Sequence, residues 1–273
     1  MLLHEHLENG ADKNPNFPFS EFEGNSLSYQ EANLLSNQLA NKLVSEGLEV
    51  GDRFAFLAKN CTEMAIMYYA ASKVGAVPVP LNYRLADQEW AYIINDSEAK
   101  LIIVKGNEYS DRINQISSEL KNVKKYISIS LDNSIEKFQD FYDWLSDSSN
   151  EKPTLKIHEN DDVYQMYTSG TTGHPKGAVL LQRNVAANIR QYLNSLTLPR
   201  PSRTLLVAPM YHAAAMINMC GCIAIGGTIV IQEDFIPQDV VDCLANEKIT
   251  HTVLVPAMIQ ACLVSVPNVA NNE

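Results

Sequence analysis

Three short apolar runs recur in the same order at a fixed distance. RFAFLA at 53–58, AVPVP at 76–80 behind Gly75, and LIIV at 101–104 return about 150 residues later. The second set is RTLLVA at 203–208, TIVI at 228–231 behind Gly226-Gly227, and TVLV at 252–255. Apolar, β-branched runs this short, bounded by glycine, read as buried strands, and helical periodicity fills the gaps between them. Two occurrences do not make a solenoid. They predict an α/β fold of two similar, mostly parallel sheets with flanking helices, because strands alternating with helices are joined by crossovers. In such folds ligands sit in crevices outside strand ends.

Local signals fill in the frame. Ser28 and Glu31 form a capping box, and Leu35, Leu39 and Leu43 follow at helical spacing until Gly47. A helix is predicted over 62–74, ended by Gly75, and AVPVP, with its prolines, reads as an edge strand or a strand end. Residues 87–95 read as a helix, YISIS at 126–130 as a strand, and 135–146 as a helix. Residues 147–162, rich in Ser, Asp, Asn and Glu, mark the best internal boundary. The chain then divides into a first α/β region, 1–150, and a second, 151–273. His4-Glu5-His6 places its histidines two apart, which is not a zinc-binding HExxH, and reads as part of a solvated first helix.

Composition narrows the function classes. A net charge of −11 over 273 residues disfavours nucleic acid and anionic membranes as general partners. Any polyanionic ligand must be held by a local site. The five cysteines, at 61, 220, 222, 243 and 262, show no CxxC spacing, so neither zinc nor a disulfide framework is indicated, and a reducing, cytoplasmic setting fits. MLLHEHLENG lacks the basic start and long apolar core of a signal peptide. Residues 204–232 carry no Asp, Glu, Lys or Arg, but Pro209, Asn218 and Gly226-Gly227 interrupt them, so strand, buried helix and strand explain the stretch better than a membrane span.

The chemistry concentrates in YTSGTTGHPKGAVL at 167–180. Glycines let backbone N–H groups close on an anion, the hydroxyls of Thr168, Ser169, Thr171 and Thr172 add donors, and Lys176 adds a positive charge. Counted from Gly170, the common phosphate loop GxxxxGK[ST] needs Gly at 175 and Ser or Thr at 177; this chain has Pro175 and Gly177. AVLL after Lys176-Gly177 reads as a strand rather than a helix. A flexible surface turn is the plain alternative, and it leaves the lysine and the hydroxyl-glycine block unexplained.

YTSGTTGHPKG closely resembles the signature loop of the adenylate-forming enzymes: acyl-CoA synthetases, luciferases and the adenylation domains of peptide synthetases. LSYQEANLLSNQLANKL at 27–43, SKVGAVPVPLNYRL at 72–85, PMYH at 209–212 and HTVLVPAMI at 251–259 resemble further motifs of that family, in the right order. Gln165 departs from it, standing where an apolar residue is usual. The resemblance implies the amino-terminal part of the family's large domain. It implies attack of a carboxylate on the α-phosphorus of MgATP, then transfer of the acyl group to coenzyme A. Thr168, Ser169, Gly170, Thr171, Thr172, Gly173 and Lys176 would wrap the β- and γ-phosphates. His212 would stand beside the carboxylate as wall and gate, with Tyr211, Ala213 and Met216 lining the acyl pocket. Small Ala and Met side chains suit a fatty or small aromatic acid.

Three rivals remain. An amino-acid-activating domain would place an Asp near PMYH, and 204–232 has none. A luciferase-like enzyme shares the adenylation step. A nucleotide-binding or assembly fragment without turnover, such as half of a split enzyme, also fits: no YGxTE-like or TGD-like motif, hinge or small carboxyl-terminal domain follows within these 273 residues. On that reading metal ligands come from the phosphates and from a carboxyl-terminal half-chain, and the isolated chain is inactive and prone to self-association.

Overall fold

A computed structural model describes residues 1–130, 135–168, 173–267 and 269. The chain opens with α1 (Leu3–Lys13), β1 (Pro18–Phe22), β2 (Asn25–Ser28) and α2 (Tyr29–Ser45). Alternation then runs through β3 (Arg53–Leu57), α3 (Thr62–Val74), β4 (Val77–Pro80), α4 (Asp87–Asp96), β5 (Leu101–Lys105), α5 (Asn107–Ile116), β6 (Lys125–Ile129), β7 (Phe138–Asp140) and α6 (Phe141–Leu145). A hairpin of β8 (Asp162–Thr168) and β9 (Lys176–Leu181) leads to α7 (Gln182–Ser195). The remainder is β10 (Arg203–Leu206), α8 (Ala213–Ala224), β11 (Thr228–Ile231), α9 (Pro237–Asn246), β12 (His251–Thr252) and α10 (Pro256–Ser265).

The repeat seen in sequence is a repeat in space. β3 pairs in parallel with β4 on one side and β5 on the other, and β10 pairs in parallel with β11 and β12 in the same arrangement. The sheets then grow in opposite directions. The first adds β6 and β7 beyond β5, and the second adds β1 and antiparallel β2 beyond β11. The second sheet therefore takes two strands from residues 18–28. α3 lies in the principal core: all its residues from Met64 to Val74 are buried, so it has no solvated face. Gly75 ends it in the left-handed conformation at φ 71°, which a side chain rarely adopts.

Three expectations need correction. The stretch 135–146 is not one helix. Lys137 has φ 72°, Phe138 pairs with Tyr126 as an edge strand, and only then does Asp140 cap the short α6. TVLV is not a four-residue strand: β12 is His251–Thr252, and Pro256 starts α10, since a proline fixes φ for the first helical turn and holds the residue before it extended. The first helix is not solvated all round. Leu3, His4, Leu7 and Gly10 form a buried stripe, and His4 Nδ1 lies 3.0 Å from Ser72 Oγ of α3. The 204–232 stretch is strand, helix and strand as expected, and among the described residues no helix is long and apolar enough to cross a membrane. The five cysteines are free and buried.

The seating of α1 makes the fold acid-sensitive. Burial lowers His4, and it lowers His6 from 6.5 to about 4. Between those two values the unfolded chain binds more protons than the native one at His6, so stability is lost as pH falls through that window. The full shift corresponds to roughly 3 kcal/mol at 1.36 kcal/mol per unit; with partial solvent screening we expect about 1–2 kcal/mol. Urea unfolding at pH 7 and pH 4.5 measures it, and His6→Gln should shrink the difference by about that amount, leaving the part that other groups, His4 and His212 among them, contribute. An unchanged difference in that variant contradicts the assignment.

Candidate functional site

The signature loop is the tip of the β8–β9 hairpin, not the entry to a helix. Thr168 pairs with Lys176 at its mouth and Tyr167 with Gly177 one step below. A Cβ at Gly177 would lie 2.2 Å from Gln165 Nε2 and 2.9 Å from Tyr167 Cζ, so any side chain there would require those two side chains to shift. Of the expected phosphate-binding residues, Thr168, Gly173 and Lys176 are described, and each is exposed. Gly173 has φ 146°. Ser169, Gly170, Thr171 and Thr172 lie outside the described residues.

The opposing wall is the turn between β10 and α8. Asn60, just past β3, accepts the Met210 N–H at 2.7 Å and donates to the carbonyls of Ala208 and Gln232 at 3.1 Å each. One side chain of the first repeat thus fixes the turn of the second. The His212 N–H donates to Pro209 O at 3.0 Å, and its carbonyl accepts the Met216 N–H at 3.1 Å, which makes His212 the residue that opens α8. Tyr211 is buried and meets Tyr83 edge-on at 5.6 Å. Tyr83 donates to Asp234 Oδ1 at 3.0 Å, and Lys59 pairs with Asp234 at 2.6 Å. The His212 ring lies 4.3 Å from that of Tyr211. Burial, and then the charge of Arg84, lower its pKa below the ordinary histidine value, which favours the neutral ring.

Between the two walls is a cleft of about 430 Å³. Thr168, Gly173 and Pro175 line it from the hairpin, Tyr211, His212 and Ala213 from the start of α8, and Asn82, Leu85, Glu89 and Ile93 from β4–α4. It sits outside strand ends, where alternating strands and helices predict a crevice. Two expected residues are not in its lining. Met216 is in the core, with its sulfur 3.5 Å from Cys220 Sγ, and Lys176 is exposed at the hairpin mouth. Sequence reasoning missed Asn60, Tyr83 and Asp234, which align the walls. The polar residues just past the strands RFAFLA, AVPVP and TIVI were the available signal, but their partners are 148 to 172 residues away.

The sequence profile of the family described as AMP-binding enzyme matches residues 7–272. Long-chain-fatty-acid–CoA ligase FadD13 of Mycobacterium tuberculosis is 30% identical over 235 residues, covering 85% of this chain and 45% of that protein. Feruloyl-CoA synthase of an Amycolatopsis species is 30% identical over 239 residues, covering 87% and 45%. The inhibitor-bound crystal structure of the N-terminal domain of FACL13 from Mycobacterium tuberculosis superimposes with a TM-score of 0.90 at 27% identity, over 100% of this chain and 67% of that one. The chain spans about half the length of the curated relatives it matches.

Proposed function

The chain belongs to the family of AMP-binding enzymes, and on that premise we propose that it carries the amino-terminal part of a machinery that activates a carboxylic acid. The acid, fatty or small aromatic, is converted with ATP to an acyl-adenylate and then to a coenzyme A thioester. One observation carries the reading: the hairpin flanks Thr168 and Gly173 and the Tyr211-His212-Ala213 corner face one cleft. Phosphates are held at the hairpin by Thr168, Ser169, Gly170, Thr171, Thr172, Gly173 and Lys176, and Mg²⁺ arrives with the nucleotide. The carboxylate lies by His212. It is already ionised at neutral pH, so His212 has no proton to remove from it and acts by shape and polarity. The names of the relatives, a long-chain-fatty-acid ligase and a feruloyl-CoA synthase, support an acid with an extended or aromatic apolar body.

A second reading, half of a split enzyme, rests on α10. Val255, Ile259, Leu263 and Val264 on or beside that helix are exposed, Val264 by 78%. An apolar face of this kind is suited to a further protein segment or to a second copy. One experiment separates the readings. Acid-dependent ATP–pyrophosphate exchange is measured on the 273-residue chain alone and mixed with the carboxyl-terminal half of a relative. We expect exchange only in the mixture, with His212→Ala raising the KM for the acid more than that for ATP. Exchange by the chain alone overturns the split reading. A mixture in which that variant alters only the KM for ATP overturns the placement of the acid.

A further inference from the structure

We propose that α4 is the positioning element of the phosphate loop, with Tyr92 clamping the returning flank through His174 and Asp96 holding the outgoing flank through Tyr167. This deepens the reading given under Proposed function and rests on it for its consequence in catalysis. Tyr92 and His174 stack with ring centroids 4.6 Å apart and planes 17° from parallel. Asp96, one turn beyond Tyr92, accepts the Tyr167 hydroxyl at 2.6 Å and lies 3.5 Å from that of Tyr92. Tyr167 immediately precedes Thr168, and His174 lies between Gly173 and Pro175. Both ends of the loop are therefore referred to the last turn of one helix, whose Ile94 and Ile93 are packed in the core.

The outgoing flank has a further strut. Gln165 Nε2 donates to the Tyr167 oxygen at 3.0 Å, and Gln165 Oε1 accepts from Arg53 Nε at 3.2 Å. Arg53 is itself fixed by Asp162 Oδ2 at 3.2 Å and by Gly51 O at 2.6 Å. Gln165, the one departure from the family pattern noted in the sequence, is thus a link from β3 to the Tyr167 hydroxyl. Ala178 and Val179 of β9, on the returning side, are exposed. A loop that wraps a polyphosphate with backbone N–H groups binds best when it is held in that form before the ligand arrives. The stack and the short hydrogen bond fix the two flanks, Tyr167 and His174, from outside the loop.

The test has two readouts on the 273-residue chain. Amide hydrogen exchange at His174 and Lys176 should quicken threefold to tenfold in Tyr92→Ala, from the loss of an aromatic stack. Tyr92→Phe, which keeps the stack, should retain the parental rate. Affinity for inorganic pyrophosphate should fall by a similar factor in Tyr92→Ala and in His174→Ala, and the double variant should be no worse than either single one. The thermal midpoint should stay within about 3 °C of the parent, because the stack is at the surface. Unchanged exchange in Tyr92→Ala, or additive losses in the double variant, overturns the clamp. Quickened exchange in Tyr92→Ala, together with a parent that does not bind pyrophosphate, leaves the clamp standing and overturns the phosphate role of the loop.

Discussion

Lys73→Ala should lower the unfolding free energy of the chain by about 3–5 kcal/mol, the scale of removing one partner from a buried ion pair. Lys73 lies in α3 and is 3% exposed. Its ammonium donates to Asn33 Oδ1 and Asn37 Oδ1 of α2, each at 2.6 Å, and faces Glu8 Oε1 of α1 at 3.4 Å. Three helices meet at one charge. Burial pulls Lys73 from 10.5 down to about 8, which leaves it protonated at pH 7. Against its own desolvation, the Glu8 carboxyl is held below its ordinary value by the hydrogen bond from Lys152 and the charge of Lys73. Truncation to alanine leaves two amide oxygens without donors and opens a cavity among packed helices. Lys73→Met restores most of the stem and so spares the cavity, but it leaves Asn33, Asn37 and Glu8 without the ammonium, so it should recover only the smaller part of the loss. Equilibrium urea unfolding decides; an alanine variant within about 1 kcal/mol of the parent contradicts this account.

Lys73 also marks where sequence reading stopped. Within SKVGAVPVP the lysine was legible only as a polar residue near a helix end, because its partners come from residues 8, 33 and 37. The repeat was legible because strand and helix periods are local and each trio of strands obeys the same crossover logic. The joining of β1 to β11 was not, since nothing in PFSEF names a partner about 210 residues away. The misread 135–146 stretch has a similar cause. FQD takes extended form by pairing with Tyr126, a tertiary contact that overrides helical periodicity. In the site, loop chemistry and the PMYH corner were visible as compact motifs. The side chains that align them, Asn60 on Met210 and Asp234 on Tyr83, act across the two sheets and leave no local pattern.

Lys176→Ala should weaken pyrophosphate and MgATP binding by ten- to a hundredfold, the largest effect expected of a single change in the site. Lys176 is the first residue of β9, opposite Thr168, and is exposed; among the described residues it makes no ion pair. Its ammonium is therefore available to a ligand without first breaking a contact described here. A hydrogen bond to a charged group contributes about 1.5–3 kcal/mol, and each 1.36 kcal/mol is tenfold. The surrounding protein makes the local charge more telling, because a net charge of −11 opposes approach of a polyanion everywhere else. Lys176→Arg keeps the charge but replaces a compact ammonium by a planar fork, so it should recover only part of the affinity. Salt gives an independent check. Raising ionic strength screens an exposed charge, so the parental affinity should fall steeply with salt and that of Lys176→Ala less so. Calorimetric titration of pyrophosphate at two salt concentrations measures both quantities. Equal affinity and equal salt dependence in the parent and the alanine variant would remove Lys176 from the phosphate site.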